Sequence, residues 1–407
     1  MAETREFLVP DYFPDFSCKM GLCRRACCEG WRVSVPMRTY FSLLGLSCGE
    51  ELRHRIDSHL CLCDTPTEDE YAFLAPRYDG NCPLRAPDGR CQLQIENGED
   101  VLPEVCRLYP RGVRFEDGTW ECSCAGSCEA VLELLFDDRR TAPLRFIRVR
   151  SGIVPPGDEG AENTYGGRKH QFETYGRQWE IRSFYIALLQ DRRFSLPHRL
   201  LRLGDAMAVC RGELLASLKE DESVAAAVLP RLAAEESVSL EADRKRLAAG
   251  LEIAKRLLGL LDERSDSIRM LGEAAIRYFG CGGCGDGGAA AEEKYLFALR
   301  RLEELFPSHP VYFEHMMVNH MFFSVFPYQD RPDGVEEEYV ALCAEYGLLR
   351  FLCLGNCEKL SSKADLADIC AAAFRLVEHA AFDRYAGIML RHLGCADREE
   401  LAGFLSL

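Results

Sequence analysis

The chain has 407 residues, 47% of them hydrophobic and 28% charged, an ordinary globular composition long enough for two or three cores and unlike a disordered or fibrous chain. Its net charge is −16, and residues 1–128 carry 14 Lys and Arg against 21 Asp and Glu, so the clustered cations that nucleic acid or an anionic membrane rewards are missing and a basic protein or peptide suits better. The longest apolar stretches, such as 318–326, fall short of the roughly 18–20 residues a bilayer span needs, and the opening MAETREFLVP has no apolar signal core, so a cytoplasmic location is expected.

Residues 1–140 read as a domain organised by ligands, rich in Cys, Gly and Pro and broken into short segments. A short strand is expected at 31–35. A hairpin is expected at 113–122, because Asp117-Gly118 supplies the positive φ angles of a tight turn. A helix follows at 128–136. Residues 141–170 are read as a linker, since 151–167 are Gly-, Pro- and Glu-rich with almost no apolar periodicity.

From 171 to 407 the pattern is helical, with 3.6-residue spacing at 199–219, 241–261 and 266–279. A Gly-rich break at 280–288 precedes a helix at 290–306. Ser308, with Pro310 in the first turn, opens the next helix, which stops before Pro327. Its faces are nearly all apolar, so it is expected at the centre of the bundle. Helices at 335–353 and 363–393, the latter capped near Ser362, complete a mainly α protein: a cysteine-rich metal or iron–sulfur domain with a small β-hairpin, then an all-α bundle.

Cysteine is the informative residue. Of 21, 13 lie in the first 128 positions, a density that without a secretory leader points to metal or iron–sulfur ligation, not disulfides. Cys18-x4-Cys23-x3-Cys27-Cys28-x2-Trp31 puts four thiols within 11 residues, and soft sulfur ligands select zinc or iron–sulfur clusters. The adjacent Cys27 and Cys28 do not sit comfortably on one iron, so one of them would serve a second site or another role. Cys82, Cys91, Cys106 and Cys128 bring the candidates to eight, enough for one four-ligand site with spares or for two sites. Cys122 and Cys124 offer rival alignments near Cys128. Arg111 lies close in sequence to Cys106 and is placed to pair with a carboxylate of substrate or cofactor.

Other motifs carry less. Gly280-Cys281-Gly282-Gly283-Cys284-Gly285 spells a dinucleotide-loop pattern but follows a helical stretch, not a strand, and reads as a flexible loop. His315 and His320, five residues apart, point about 140° from each other and cannot share a metal as an i, i+4 pair would. They are expected to pack or hydrogen-bond. Cys210, Cys343, Cys353, Cys357, Cys370 and Cys395 read as core thiols.

The cysteine pattern, with Gly89-Arg90-Cys91, Gly98-Glu99, Cys106, Tyr109-Pro110-Arg111 and Ser127-Cys128-Glu129, resembles the flagellin lysine N-methylases, within the wider CxxCxxCC group of metal-chelating proteins. Tyr312-Phe313-Glu314, Val318-Asn319, Phe326-Pro327 and Glu378-His379 extend the resemblance along most of the chain. Pro36 stands ahead of Thr39-Tyr40 where that family has an Asp, and its Ser-Cys-Pro-Glu motif lacks the Pro here. The resemblance implies an enzyme that methylates lysine ε-amino groups of flagellin with S-adenosylmethionine, using a 4Fe-4S cluster held by Cys18, Cys23, Cys27, Cys28, Cys82, Cys91, Cys106 and Cys128 or four among them. Tyr109, Arg111, Glu99 and Tyr40 are the candidate catalytic residues, with Arg111 also the candidate cofactor-binding residue. The alternative is a non-enzymatic module stabilised by zinc or carrying electrons on a cluster.

Overall fold

The computed structural model describes residues 4–29, 32–153, 176–210, 212–232, 244–259, 266–280, 287–328, 334–379 and 382–407. In chain order the elements begin β1 (Arg5–Pro10), β2 (Val33–Val35), α1 (Met37–Leu44), α2 (Glu50–His59), β3 (Leu60–Leu62), β4 (Ala72–Leu74), α3 (Gln92–Asn97) and α4 (Glu104–Leu108). Next come β5 (Arg111–Glu116), β6 (Thr119–Cys124), α5 (Glu129–Leu135) and β7 (Phe146–Ser151). The helical part comprises α6 (Gln178–Leu189), α7 (Leu196–Val209), α8 (Gly212–Ser217), α9 (Val224–Leu232), α10 (Arg244–Gly259), α11 (Asp266–Phe279), α12 (Gly287–Leu305), α13 (His309–Phe323), α14 (Val335–Gly355), α15 (Lys363–His379), α16 (Phe382–His392) and α17 (Arg398–Leu405). Among the described residues no helix is long and apolar enough to cross a membrane.

The chain forms two compact units: residues 1–14, 113–127 and 131–407 in one, residues 15–112 and 128–130 in the other. This division departs from the expected 1–140, 141–170 and 171–407. Strand pairing is the reason. The larger unit contains a sheet of order β5-β6-β1-β7, in which β1 runs parallel to β6 (Leu8 beside Glu121) and antiparallel to β7 (Arg5 beside Ser151, Pro10 beside Phe146). The first strand of the chain therefore joins the helical part, which is not all-α, and residues 146–151 of the expected linker are a strand. The rest of that linker from 154 to 170 lies outside the described residues, as do Trp31 and 281–286 of the Gly-rich loop. The expected hairpin forms: Asp117 and Gly118 both have positive φ, 46° and 75°, the pair of angles a two-residue turn needs to match strand twist.

Helix α13 runs through the core of this unit, with Tyr312 through Phe322 all buried. A helix apolar all round has no wet face to give up, so it packs on every side. Its polar residues meet partners from neighbouring elements. Asn319 accepts a hydrogen bond from the Tyr12 hydroxyl at 2.5 Å and donates to the Cys124 carbonyl at 2.9 Å. His315 contacts the Leu135 and Ala142 carbonyls, and His320 Nε2 lies 3.0 Å from Glu345, so the two rings face different partners, as the five-residue spacing implies. Arg182 of α6 grips Glu121 of β6 bidentately at 2.7 and 2.9 Å, and Glu314 takes Arg192 and Arg199. The helix expected at 363–393 is helical through its described residues, as α15 and α16, and residues 380–381 lie outside them. Cys210, Cys343, Cys353, Cys357 and Cys370 are buried, as core thiols are.

The smaller unit has a three-stranded antiparallel sheet of order β2-β4-β3. Val33, Val35, Leu43, Leu52, Ile56, Ala72, Leu74, Leu84 and Leu93 pack on one another, with Cys82 in the same cluster. Alternation explains the strands: Val33 and Val35 are buried and Ser34 is exposed, the period of a half-buried sheet. Helices α1 to α4 were not expected, because segments of 5–10 residues are too short to show a helical period.

Candidate metal centre

All eight candidate cysteines belong to the smaller unit. Two loops meet there. In the first, Met20 and Gly21 both adopt positive φ, 51° and 94°, and Leu22 N–H closes a turn on the Lys19 carbonyl at 3.1 Å. In the second, Gly89 has φ 88°, and Gly89 and Ala86 N–H groups close a turn by bonding to the Ala86 and Arg90 carbonyls. The loops touch backbone to backbone: a Cβ on Gly21 would lie 2.8 Å from Gly89, and one on Gly89 would lie 2.6 Å from the Gly21 carbonyl oxygen. Only two residues without side chains permit that approach.

Below this contact the chain segments pair. Cys82 N–H donates to the Cys28 carbonyl at 3.0 Å, and Glu29 and Asn81 form an antiparallel bridge. Cys28 and Cys82 thereby come side by side although 54 positions separate them. The Cys28 sulfur accepts hydrogen bonds from the Cys27 and Cys82 thiols, which holds it well below the usual thiol range with help from Arg85. Those bonds and burial push Cys27 and Cys82 up. Cys106 is raised by desolvation and by the charges of Cys91 and Cys28, and Cys91 chiefly by burial. Cys18 lies near enough to contribute to the Cys27 shift. Six of the eight sulfurs thus feel one another, in a cluster that runs from buried Cys82 to Cys18, Cys27 and Cys106 at the surface.

Cys128 directly precedes a buried carboxylate. Glu129 opens α5, its side chain 3% exposed, with Lys19 Nζ 2.8 Å from Oε1. It also accepts from the Arg24 N–H at 3.0 and 3.2 Å and the Arg25 N–H at 3.3 Å. Sequence reading counted Glu129 only as part of a motif, and Gly21 and Arg85 not at all. The signal for Gly21 was its position between Cys18 and Cys23, where a ligand loop must reverse.

In donor chemistry the cluster suits a thiolate-bound metal group: several sulfurs, one already favoured as thiolate, near a basic side chain. Among the described residues no group of three or more His, Cys, Asp or Glu side chains is arranged to hold a metal ion.

The candidate catalytic residues occupy different elements. Arg111 opens β5 and stacks its guanidinium 5.0 Å over the Phe16 ring. Tyr109 ends α4 next to a cis Pro110. Tyr40 lies on α1 with ring contacts to Phe41 and Tyr71 at 5.3 and 5.1 Å. Glu99 is exposed, accepting from Gln94 Nε2 at 3.1 Å.

The lysine-N-methylases of Salmonella choleraesuis and Salmonella typhimurium are each 26% identical to this chain over 129 residues, 32% of this chain and 32% of theirs. The flagellar biosynthetic protein FliU of Salmonella muenchen is 24% identical over 129 residues, 76% of its length. The matched region thus spans about a third of the two lysine-N-methylases. No solved structure matches the chain. The FliB lysine N-methylase C-terminal domain matches residues 182–389, from the buried Arg182 of α6 to α16. With more than half its length so matched, the chain belongs to the FliB lysine N-methylase family.

Proposed function

We propose that this chain transfers methyl groups from S-adenosylmethionine to lysine side chains of flagellin, and that its cysteine centre holds a 4Fe-4S cluster. Membership of the FliB family carries the methylase reading. Relatives named lysine-N-methylase and flagellar biosynthetic protein support lysine and flagellin as the target. The gathering of Cys18, Cys27, Cys28, Cys82, Cys91 and Cys106 supports the cluster, and Cys23 and Cys128 complete the set from which four ligands would come.

A lysine ammonium, with an unperturbed pKa near 10.4, has no lone pair to attack with. It must pass a proton to a base before its nitrogen attacks the sulfonium methyl carbon, the C–S bond breaks and the thioether leaves. Tyr109, Glu99 and Tyr40 are the groups proposed for that proton. Arg111 is proposed for the cofactor's carboxylate: stacking on Phe16 engages the face of the guanidinium and leaves its N–H edge, the edge that grips carboxylates. A cluster held by four of these cysteines would supply a Lewis-acidic iron for the amino-acid end of S-adenosylmethionine and would brace the loops that carry Cys18 to Cys28 and Cys82 to Cys91. The net charge of −16 favours encounter with Lys-bearing surfaces.

The test is iron, sulfide and zinc content of anaerobically purified chain, its absorption and spin-resonance spectra before and after S-adenosylmethionine, and mass spectrometry of flagellin incubated with both. About four irons per chain, a spectrum moved by the cofactor and mass gains of one methyl on lysine are expected. Stoichiometric zinc without iron would remove the cluster, and unmodified flagellin would remove the substrate.

A further inference from the structure

We infer that Glu129 is the positioning residue of the cysteine centre, a single buried carboxylate that sets the register between the Cys18–Cys28 loop and Cys128. This rests on the proposed cluster for its functional consequence, though not for its geometry. Three observations carry it. Glu129 meets three residues of one loop, 104–110 positions away in sequence: the Lys19 ammonium at 2.8 Å, the Arg24 N–H through both oxygens, and the Arg25 N–H at 3.3 Å. Arg24 adds its guanidinium at 3.6 Å. Those three residues are interleaved with Cys18, Cys23 and Cys27, three of the four cysteines of the spacing motif, while Glu129 itself follows Cys128 directly.

The chemistry explains why a carboxylate is needed. The loop from Cys18 to Cys28 contains no strand or α-helix to hold its shape, and consecutive N–H groups pointing one way need an acceptor with several lone pairs. An ionised carboxylate supplies them in charge-assisted bonds, each stronger than a neutral one. Burial raises what is at stake: losing the acid removes one shared, buried acceptor from two amides and an ammonium at once. A group that orients ligands without touching the metal group affects its retention as strongly as some ligands do, typically 10- to 100-fold. Gln at this position keeps the shape but turns one acceptor oxygen into a donor facing Lys19 and the loop amides.

The experiment uses the full chain with Glu129→Gln, Glu129→Ala and the surface control Asp57→Asn. Amide hydrogen exchange of residues 19–25 is read first on protein freed of iron with chelator. Both Glu129 variants are expected to exchange at least about tenfold faster at Arg24 and Arg25 than wild type, and the control at the wild-type rate. Iron retention against chelator is then read on reconstituted protein, with a loss of about 10- to 100-fold expected in both variants. Wild-type exchange rates in Glu129→Gln and Glu129→Ala would overturn the inference, as would full iron retention with fast exchange, which would make the clamp real but without bearing on the centre. If Glu129→Ala does not fold, Glu129→Gln decides alone. A wild type that takes up no iron would sink the cluster reading, and the amide exchange would still decide whether Glu129 orders the loop.

Discussion

Gly21 and Gly89 show how much a residue without a side chain can decide. Both have positive φ, and each occupies the space where the other's Cβ would go. Gly80 has φ 77° as well but nothing within 4 Å of a would-be Cβ, so Gly80→Ala carries only the backbone cost of about 1–2 kcal/mol. Gly21→Ala and Gly89→Ala are expected to cost more than that in denaturant unfolding and to lower retention of the proposed cluster, whereas Gly80→Ala leaves that retention unchanged. The buried pair of Arg182 and Glu121 sets a second case. Replacing Arg182 by Met takes the bidentate partner from a carboxylate that is 2% exposed and leaves it Arg114 at 3.5 Å, and a loss of up to about 3–5 kcal/mol is expected by chemical denaturation.

Among the elements, α13 has the plainest origin. Its apolar residues leave no polar stripe, so its burial was legible from sequence, and so was the separation of His315 from His320. The partners of its polar groups were not, since nothing local relates Asn319 to Tyr12 and Cys124. Asn319→Leu is expected to destabilise the larger unit by about 1–3 kcal/mol, read in thermal or denaturant unfolding, because the amide that bonds both the Cys124 carbonyl and the Tyr12 hydroxyl is lost from a buried network. At the start of α15, Ser362 does cap as its sequence position implies: its hydroxyl takes the Asp365 N–H at 3.3 Å, while Asp365 accepts from the Ser361 and Ser362 N–H groups at 3.0 and 2.9 Å. Asp365→Ala is expected to cost about 0.5–2 kcal/mol. The strand β7 escaped sequence reading for the opposite reason. Its residues are half-buried or exposed, and only pairing with β1 makes them a strand.

On the scale of the whole molecule, two histidines of α13 tie the fold to pH. Burial, then the charge of Arg350, lowers His309 to about 4, and burial lowers His315. Both bases bind protons more readily unfolded than folded. Their contribution is therefore full above about pH 6.5 and is lost as pH falls toward the folded values, by up to about 1.4 kcal/mol per pH unit for each group that titrates. Unfolding free energy measured from pH 7 to pH 4 is expected to fall, and His309→Gln is expected to flatten the slope by about one proton.

By itself the sequence determined what depends on near neighbours along the chain. The helical period of α10 to α14, the Asp117-Gly118 turn, the buried character of α13 and the crowding of thiols in the first 128 residues are all properties of short windows. Only the tertiary structure decided what depends on residues distant in sequence. Pairing of β1 with β6 and β7 put the start of the chain in the helical unit. The meeting of Gly21 with Gly89, of Cys28 with Cys82 and of Glu129 with Lys19, Arg24 and Arg25 made one cluster of scattered cysteines. Such contacts have no local signature, because the backbone spacing that permits them and the buried charge that secures them exist only once the loops have closed.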